Sequence, residues 1–319
     1  MTSRRHFIRQ TSQAAAAMAI PSFITTSKSF YTISLAQFSL APVFFTRKMD
    51  TLDFPAKARN DFGINAVEYV SMFFKDKVSD KNYLGELKKR SADLGVRNVL
   101  IMIDMEGDLG TSDSVKRQQA VDNHTKWIEA AKFLGCHSIR VNINGDGTDE
   151  QIFDAALEGY SKLVSIGEKM DMGVIIENHN GPTNNPEYLA KLMKQINNPY
   201  AGTLPDFGNF IRRSNPEAAT LEGYAKTKVI AEYDKYKGVE MLMPYAKGVS
   251  AKTHEFNADG SCKETDFKKI MGIVEKHKTK AFKGYVGIEY EGGFLKMMNP
   301  KENYLSEDDG IKATKKLLM

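Results

Sequence analysis

Gly173-Val174-Ile175-Ile176-Glu177 is a short apolar run that stops on a carboxylate. Three later runs stop in a comparable way: Thr203-Leu204-Pro205-Asp206, Val249-Ser250-Ala251-Lys252-Thr253-His254 and Gly287-Ile288-Glu289. Each reads as a strand that finishes on an acid or an imidazole, and helical patterns separate them. Were these strands parallel neighbours in a closed sheet, their four ends would point into one mouth. Three carboxylates and one histidine converging there make a site for a hard divalent cation.

Working outward from these runs, the rest of the chain repeats the same unit. Candidate strands are 32–39, 66–74, 98–105, 138–144, 173–179, 201–207, 248–255 and 285–291. Helical patterns fill 54–62, 83–94, 115–134, 149–170, 186–196, 221–246, 267–277 and 308–317. Strict alternation implies parallel pairing through right-handed crossovers, and eight such units close a sheet on itself. The expected fold is therefore an α/β (β/α)8 TIM barrel. Gly95, Gly135 and Gly173 follow helical runs, where a left-handed cap belongs, and Asn185-Pro186 reads as a helix start.

Period-two alternation then assigns the side chains. In 138–144 the apolar Ile139, Val141 and Ile143 face the outer helices, and Arg140, Asn142 and Asn144 face inward. The same count turns Asp104, Glu106, Glu177, His179, Ser250, Lys252, His254, Glu289 and Glu291 inward. Buried polar groups are costly unless paired or bound, and these gather at the strand ends where barrel active sites lie. Plain structural alternatives stand beside these readings. Asp206 would also cap the turn that follows it, Lys252 would pair with Glu291, and Arg140 would bridge to Asp104 or Glu68 inside the barrel. His124, inside a helix with Trp127, reads as packing.

The 319 residues carry 44 basic and 40 acidic side chains. The surplus is matched by Arg4, Arg5, Arg9 and Lys28, in a segment with no acid. The remaining body is neutral, which argues against a nucleic-acid partner held by general electrostatics. Ser3-Arg4-Arg5-His6-Phe7-Ile8-Arg9 followed by the mild apolar run 14–20 resembles a twin-arginine export signal, with a basic tail as the alternative. The expected organisation is a signal over 1–29 and a barrel over 30–319, exported to the periplasm, with no membrane insertion after signal removal. Cys136 and Cys262 fall at opposite ends of a barrel and are expected as free thiols.

Glu177-Asn178-His179-Asn180-Gly181, Asp206-Phe207-Gly208-Asn209, Ser250-Ala251-Lys252-Thr253-His254-Glu255-Phe256 and Ile288-Glu289-Tyr290-Glu291-Gly292 resemble the signature segments of the xylose isomerase-like TIM barrels, in the branch called sugar phosphate isomerase/epimerase. The resemblance covers about residues 30 to 319. It implies one divalent metal held by Glu177, Asp206, His254 and Glu289, with Glu177 and Glu289 also exchanging the substrate proton. Arg140, Asn142, His179, Lys252, Asp104 and Asn209 are then the expected contacts of a small carbohydrate. Oxygen-rich ligands favour Mn2+ or Mg2+, with Zn2+ and Co2+ also admitted. Relatives of this kind are often dimers or tetramers, so a homo-oligomer is implied.

Two departures bear on the ligand set. Asn209 stands where epimerases of the family often have histidine, and some relatives place the ligand histidine where this chain has Ser250. His179 is the substitute ligand should His254 not serve. The implied reaction is isomerisation or epimerisation through an enediolate. A β-eliminating lyase acting on 3-keto-glycosides would use the same metal and base, and a non-catalytic sugar-binding barrel is the third reading.

Overall fold

In the computed structural model, residues 29–214, 223 and 226–319 are described. The twin-arginine-like stretch lies outside the described residues. The compact unit Tyr31–Met319 is an eight-stranded parallel sheet curled into a barrel. Its strands are β1 (Thr32–Ala36), β2 (Ala66–Val70), β3 (Arg97–Met102), β4 (Ser138–Val141), β5 (Gly173–Glu177) and β6 (Ala201–Leu204), then β9 (Val249–Thr253) and β10 (Tyr285–Tyr290). A separate antiparallel ribbon joins β7 (Ile211–Arg213) to β8 (Val229–Glu232).

Sheet neighbours run β6-β5-β4-β3-β2-β1-β10-β9. The seam between β6 and β9 is closed by single bridges, Thr203 with Ala246 and Asp206 with Ser250. Three backbone bonds serve this seam: Lys247 N–H to the Thr203 carbonyl at 3.0 Å, Ser250 N–H to Pro205 at 2.9 Å, and Phe207 N–H to Ser250 at 3.0 Å. The barrel expected from the alternation is therefore present. Ala36, Ala66, Val70, Leu100, Met102, Ile175 and Leu204 pack as one buried cluster. Burying each such side chain stabilises the fold by roughly 1.5–3 kcal/mol for the larger ones. Outward residues such as Ile139, Val141, Val174 and Ile176 are buried too, beneath the helices.

The helices start where short polar side chains meet their first N–H groups. Asp113 accepts from Val115 and Lys116 at the head of Ser114–Leu134, and Thr148 with Gln151 forms a reciprocal capping box on Asp149–Lys169. Gly135 closes the first of these at φ 83°. Contrary to the sequence reading, Gly173 does not cap its helix. Asp171 takes the left-handed turn at φ 53° and Gly173 opens β5.

A larger correction falls between β6 and β9. Of the helix expected over 221–246, the described residues show Gly223 as helical and a helix over Lys235–Leu242, with none between 226 and 234. Residues 229–232 are instead a strand of the outer ribbon, where Val229 and Ile230 are more than half exposed. Asp234, which accepts from the N–H groups of Tyr236 and Lys237, is the local signal that sets the true helix start.

Candidate active site

β5 delivers Glu177 as its last residue, and the chain directly after β6 delivers Asp206. β10 delivers Glu289. One carboxylate oxygen from each lies within 4.8 Å of the other two, and all three residues are buried. Register explains the meeting. Asp206 bridges to Ser250, Ser250 pairs with Gly287, and Lys252 pairs with Glu289, so neighbouring strands present these side chains at adjacent levels.

Each carboxylate is held by named donors. The N–H groups of Gly208 and Asn209 both reach Asp206 Oδ1 at 2.8 Å, so Asp206 caps its turn as well as joining the triad. The Asn209 side chain donates to Glu177 Oε1 at 2.9 Å. Ser250 Oγ lies 2.7 Å from Asp206 Oδ2 and 2.8 Å from Glu289 Oε2. A hydroxyl has one proton, so satisfying both contacts requires a proton on one of the two carboxyl groups. Burial pushes Glu289 up to about 7 against the opposing pull of Lys252, and burial also raises Glu177 well above the ordinary carboxylate range.

Arg140 and Asn142 come from β4 and the residues after it. Asp104 Oδ1 accepts from Arg140 Nη1 at 2.9 Å and from Asn142 Nδ2 at 2.7 Å, which realises the Arg140–Asp104 bridge weighed from the sequence. Arg140 Nε also lies 3.0 Å from Glu177 Oε2, but without the alignment of a hydrogen bond, so both atoms are buried and unbonded. Burial raises the Asp104 carboxyl, yet the Arg140 guanidinium outweighs it and, with the Asn142 amide, holds it below its usual range. Burial, with Arg140 and Lys252 nearby, depresses His179 to about 3, so this imidazole is neutral.

Lys252 Nζ lies 3.0 Å from Glu291 Oε1, 3.2 Å from Asn209 Oδ1, 3.5 Å from Glu289 Oε2 and 3.7 Å from Asp206 Oδ2. Its pairing with Glu291 was weighed from the sequence, and here it coexists with contact to the triad.

His254, expected as the fourth ligand, is not part of the group the carboxylates form, and neither is His179. Its Nε2 lies 3.3 Å from Glu291 Oε2, and its Nδ1 lies 3.9 Å from Glu264. The reason is register. Ser250 stands at the level of Asp206, and His254 is four residues onward, about 13 Å along an extended strand. Glu106, expected inward, turns instead to the helix behind it, with Trp127 Nε1 at 3.1 Å and Lys126 at 3.0 Å.

Ser250 and Glu291, read from the sequence as facing inward but given no role toward metal or substrate, belong to the site, as does Asn178, which the sequence reading passed over. Asn178 bonds both backbone groups of Asp206, its Nδ2 at 3.1 Å from the carbonyl and its Oδ1 at 2.7 Å from the N–H. Its place beside Glu177 at a strand end was the available signal. Deeper in the barrel, Glu68 accepts from Ser34 at 2.6 Å and has one unbonded oxygen.

The residues fit a divalent cation on three counts. Three carboxylate oxygens converge, Glu177 Oε2 has no hydrogen-bond donor, and acidic side chains outnumber Arg140 and Lys252 around the cage. The donor set is oxygen without nitrogen, since the histidine stands off.

The family model described as xylose isomerase-like TIM barrel matches residues 56–313, and the chain belongs to that family. Among solved structures it is similar to the IOLI protein with a bound zinc atom, at 13% identity and a TM-score of 0.62, over 90% of this chain and 96% of that one. A sugar phosphate isomerase/epimerase from Parabacteroides distasonis gives 14% identity and 0.60, over 92% and 95%. The 3-keto-D-glucoside 4-epimerase YcjR from E. coli gives 12% identity and 0.58, over 81% and 91%. No curated protein sequence matches the chain at a significant level. The fold is that of the xylose isomerase-like TIM barrels.

Proposed function

We propose that this protein is a metal-dependent isomerase or epimerase of a small carbohydrate that works through an enediolate. The observation that carries the reading is the buried triad of Glu177, Asp206 and Glu289, in which burial pushes both glutamates upward. A divalent cation on this triad, Mn2+ or Mg2+ by its oxygen donors, would polarise the substrate carbonyl. Glu289 and Glu177, on strands from opposite sides of the seam, would remove the proton next to that carbonyl and return one to the neighbouring or opposite position. Arg140, locked by Asp104, would keep Glu177 oriented and offer charge to a substrate oxygen. Neutral His179 and the amide of Asn142 would take substrate hydroxyls.

The test is solvent exchange. Incubation of candidate ketoses and 3-keto-glycosides in D2O should place deuterium on the carbon next to the carbonyl, and Glu177→Gln and Glu289→Gln should stop it. Exchange that survives both substitutions would sink the reading. Binding without any exchange would make this a sugar-binding barrel.

A second reading, β-elimination from a 3-keto-glycoside, is favoured by His254. Burial lowers this imidazole, but the bond to Glu291 outweighs it and keeps the protonated form available at the rim. In that reaction a carboxylate takes the proton next to the ketone, the carbon–oxygen bond to the aglycone breaks, and His254 gives its proton to the departing oxygen. Release of 4-nitrophenol from the matching 3-keto-glycoside, lost in His254→Gln, would identify it. The twin-arginine-like start supports export to the periplasm, where an unphosphorylated sugar is the fitting substrate. A homo-oligomer remains part of the proposal.

A further inference from the structure

Four observations converge on Lys252. Its side chain is 3% exposed, and its ammonium faces the carboxylate cage at the distances given above. The two oxygens it meets at 3.5 and 3.7 Å, on Glu289 and Asp206, are the same two that share the Ser250 hydroxyl. Its stem is confined: a Cβ on Gly208 would stand 3.0 Å from Lys252 Cδ and 3.2 Å from Cγ, so the chain bends around the lysine without a side chain. Finally, Ser250, at the register position from which β9 faces Asp206, supplies a hydroxyl and no nitrogen donor.

We propose that the Lys252 ammonium is a resident cation of the cage, one that keeps the triad together without a metal and with which a divalent ion must compete. The inference rests on the reading of Glu177, Asp206 and Glu289 as the metal seat. Its physical basis is the repulsion between a fixed ammonium and an incoming dication that share two carboxylate oxygens at close range. A buried cation among carboxylates cannot be removed without leaving charge uncompensated, so the cage needs either the lysine or an ion. The wild-type protein then exchanges its metal readily. A protein lacking the ammonium depends on the metal for its integrity.

The experiment compares wild type with Lys252→Met and Lys252→Gln. Mn2+ binding is measured by equilibrium dialysis, and thermal unfolding is followed with EDTA and with MnCl2. Gln is included because its amide still bonds Glu291 and Asn209 should Met fold poorly. Both variants are expected to bind Mn2+ about 100-fold more tightly than wild type. They are also expected to melt lower than wild type in EDTA and to recover on adding Mn2+, whereas wild type shifts little. Equal or weaker Mn2+ binding by the variants overturns the inference and leaves the metal seat standing. Wild-type protein that keeps one metal per chain through dialysis against buffer also overturns the inference alone. Binding by none of the three proteins overturns the inference together with the metal reading.

Discussion

At the residue scale, the site is a set of carboxylates whose neighbours decide which of them carries a proton. Glu289 and Glu177 stand close to Asp206, and burial disfavours a third negative charge. Replacing either glutamate by glutamine keeps shape and removes the base, so proton exchange should fall by at least about 100-fold in a D2O assay while the melting curve survives. Glu68 gives a separate test in the barrel interior. Burial pushes its carboxyl from 4.5 up to about 7. The folded protein thus keeps this proton over a range in which the unfolded chain has lost it. Its contribution is fully present below pH 4.5 and is lost as pH rises through 7. Urea unfolding should show stability falling over that interval by up to roughly 3 kcal/mol from this group, and Glu68→Gln should flatten the fall. An unchanged pH profile in the variant would contradict the assignment.

At the scale of elements, strand ends carry the chemistry and the loops after them hold the ends in place. The loops following β3 and β4 cross where Gly145 meets the carbonyl of Gly110, and the Gly110 N–H bonds the Asn144 carbonyl at 2.9 Å. A Cβ at 145 would overlap rigid backbone, so Gly145→Ala should destabilise by roughly 1–3 kcal/mol in chemical denaturation. Asp113→Ala, which removes the cap of the Ser114–Leu134 helix, should cost about 1 kcal/mol. The ribbon of β7 and β8 marks the limit of pattern reading. Val229-Ile230-Ala231 has no polar alternation, so it merged with the true helix beyond it. Two exposed apolar residues in a short antiparallel pair leave no periodicity that tells strand from helix.

At the scale of the whole molecule, the barrel unit Tyr31–Met319 has its own closed sheet and core. A protein beginning at Tyr31 should unfold in one transition, with a midpoint within a few degrees of the full chain in a calorimetric scan. Among the described residues no helix is long and apolar enough to cross a membrane.

The eight-unit alternation, the inward faces of β4, β5, β9 and β10 and the three acids of the triad were legible in the amino-acid sequence. These are local properties: hydrophobic period, turn residues and the cost of a buried carboxylate leave their mark within a few residues. Only the tertiary structure decided which β9 side chain reaches the triad. That depends on the stagger between strands, which no single strand encodes, and it placed Ser250 and Lys252 at the cage and carried His254 past it to Glu291. Charge pairing followed from the same stagger, because an ion pair forms between whichever buried groups the closed sheet brings to one level.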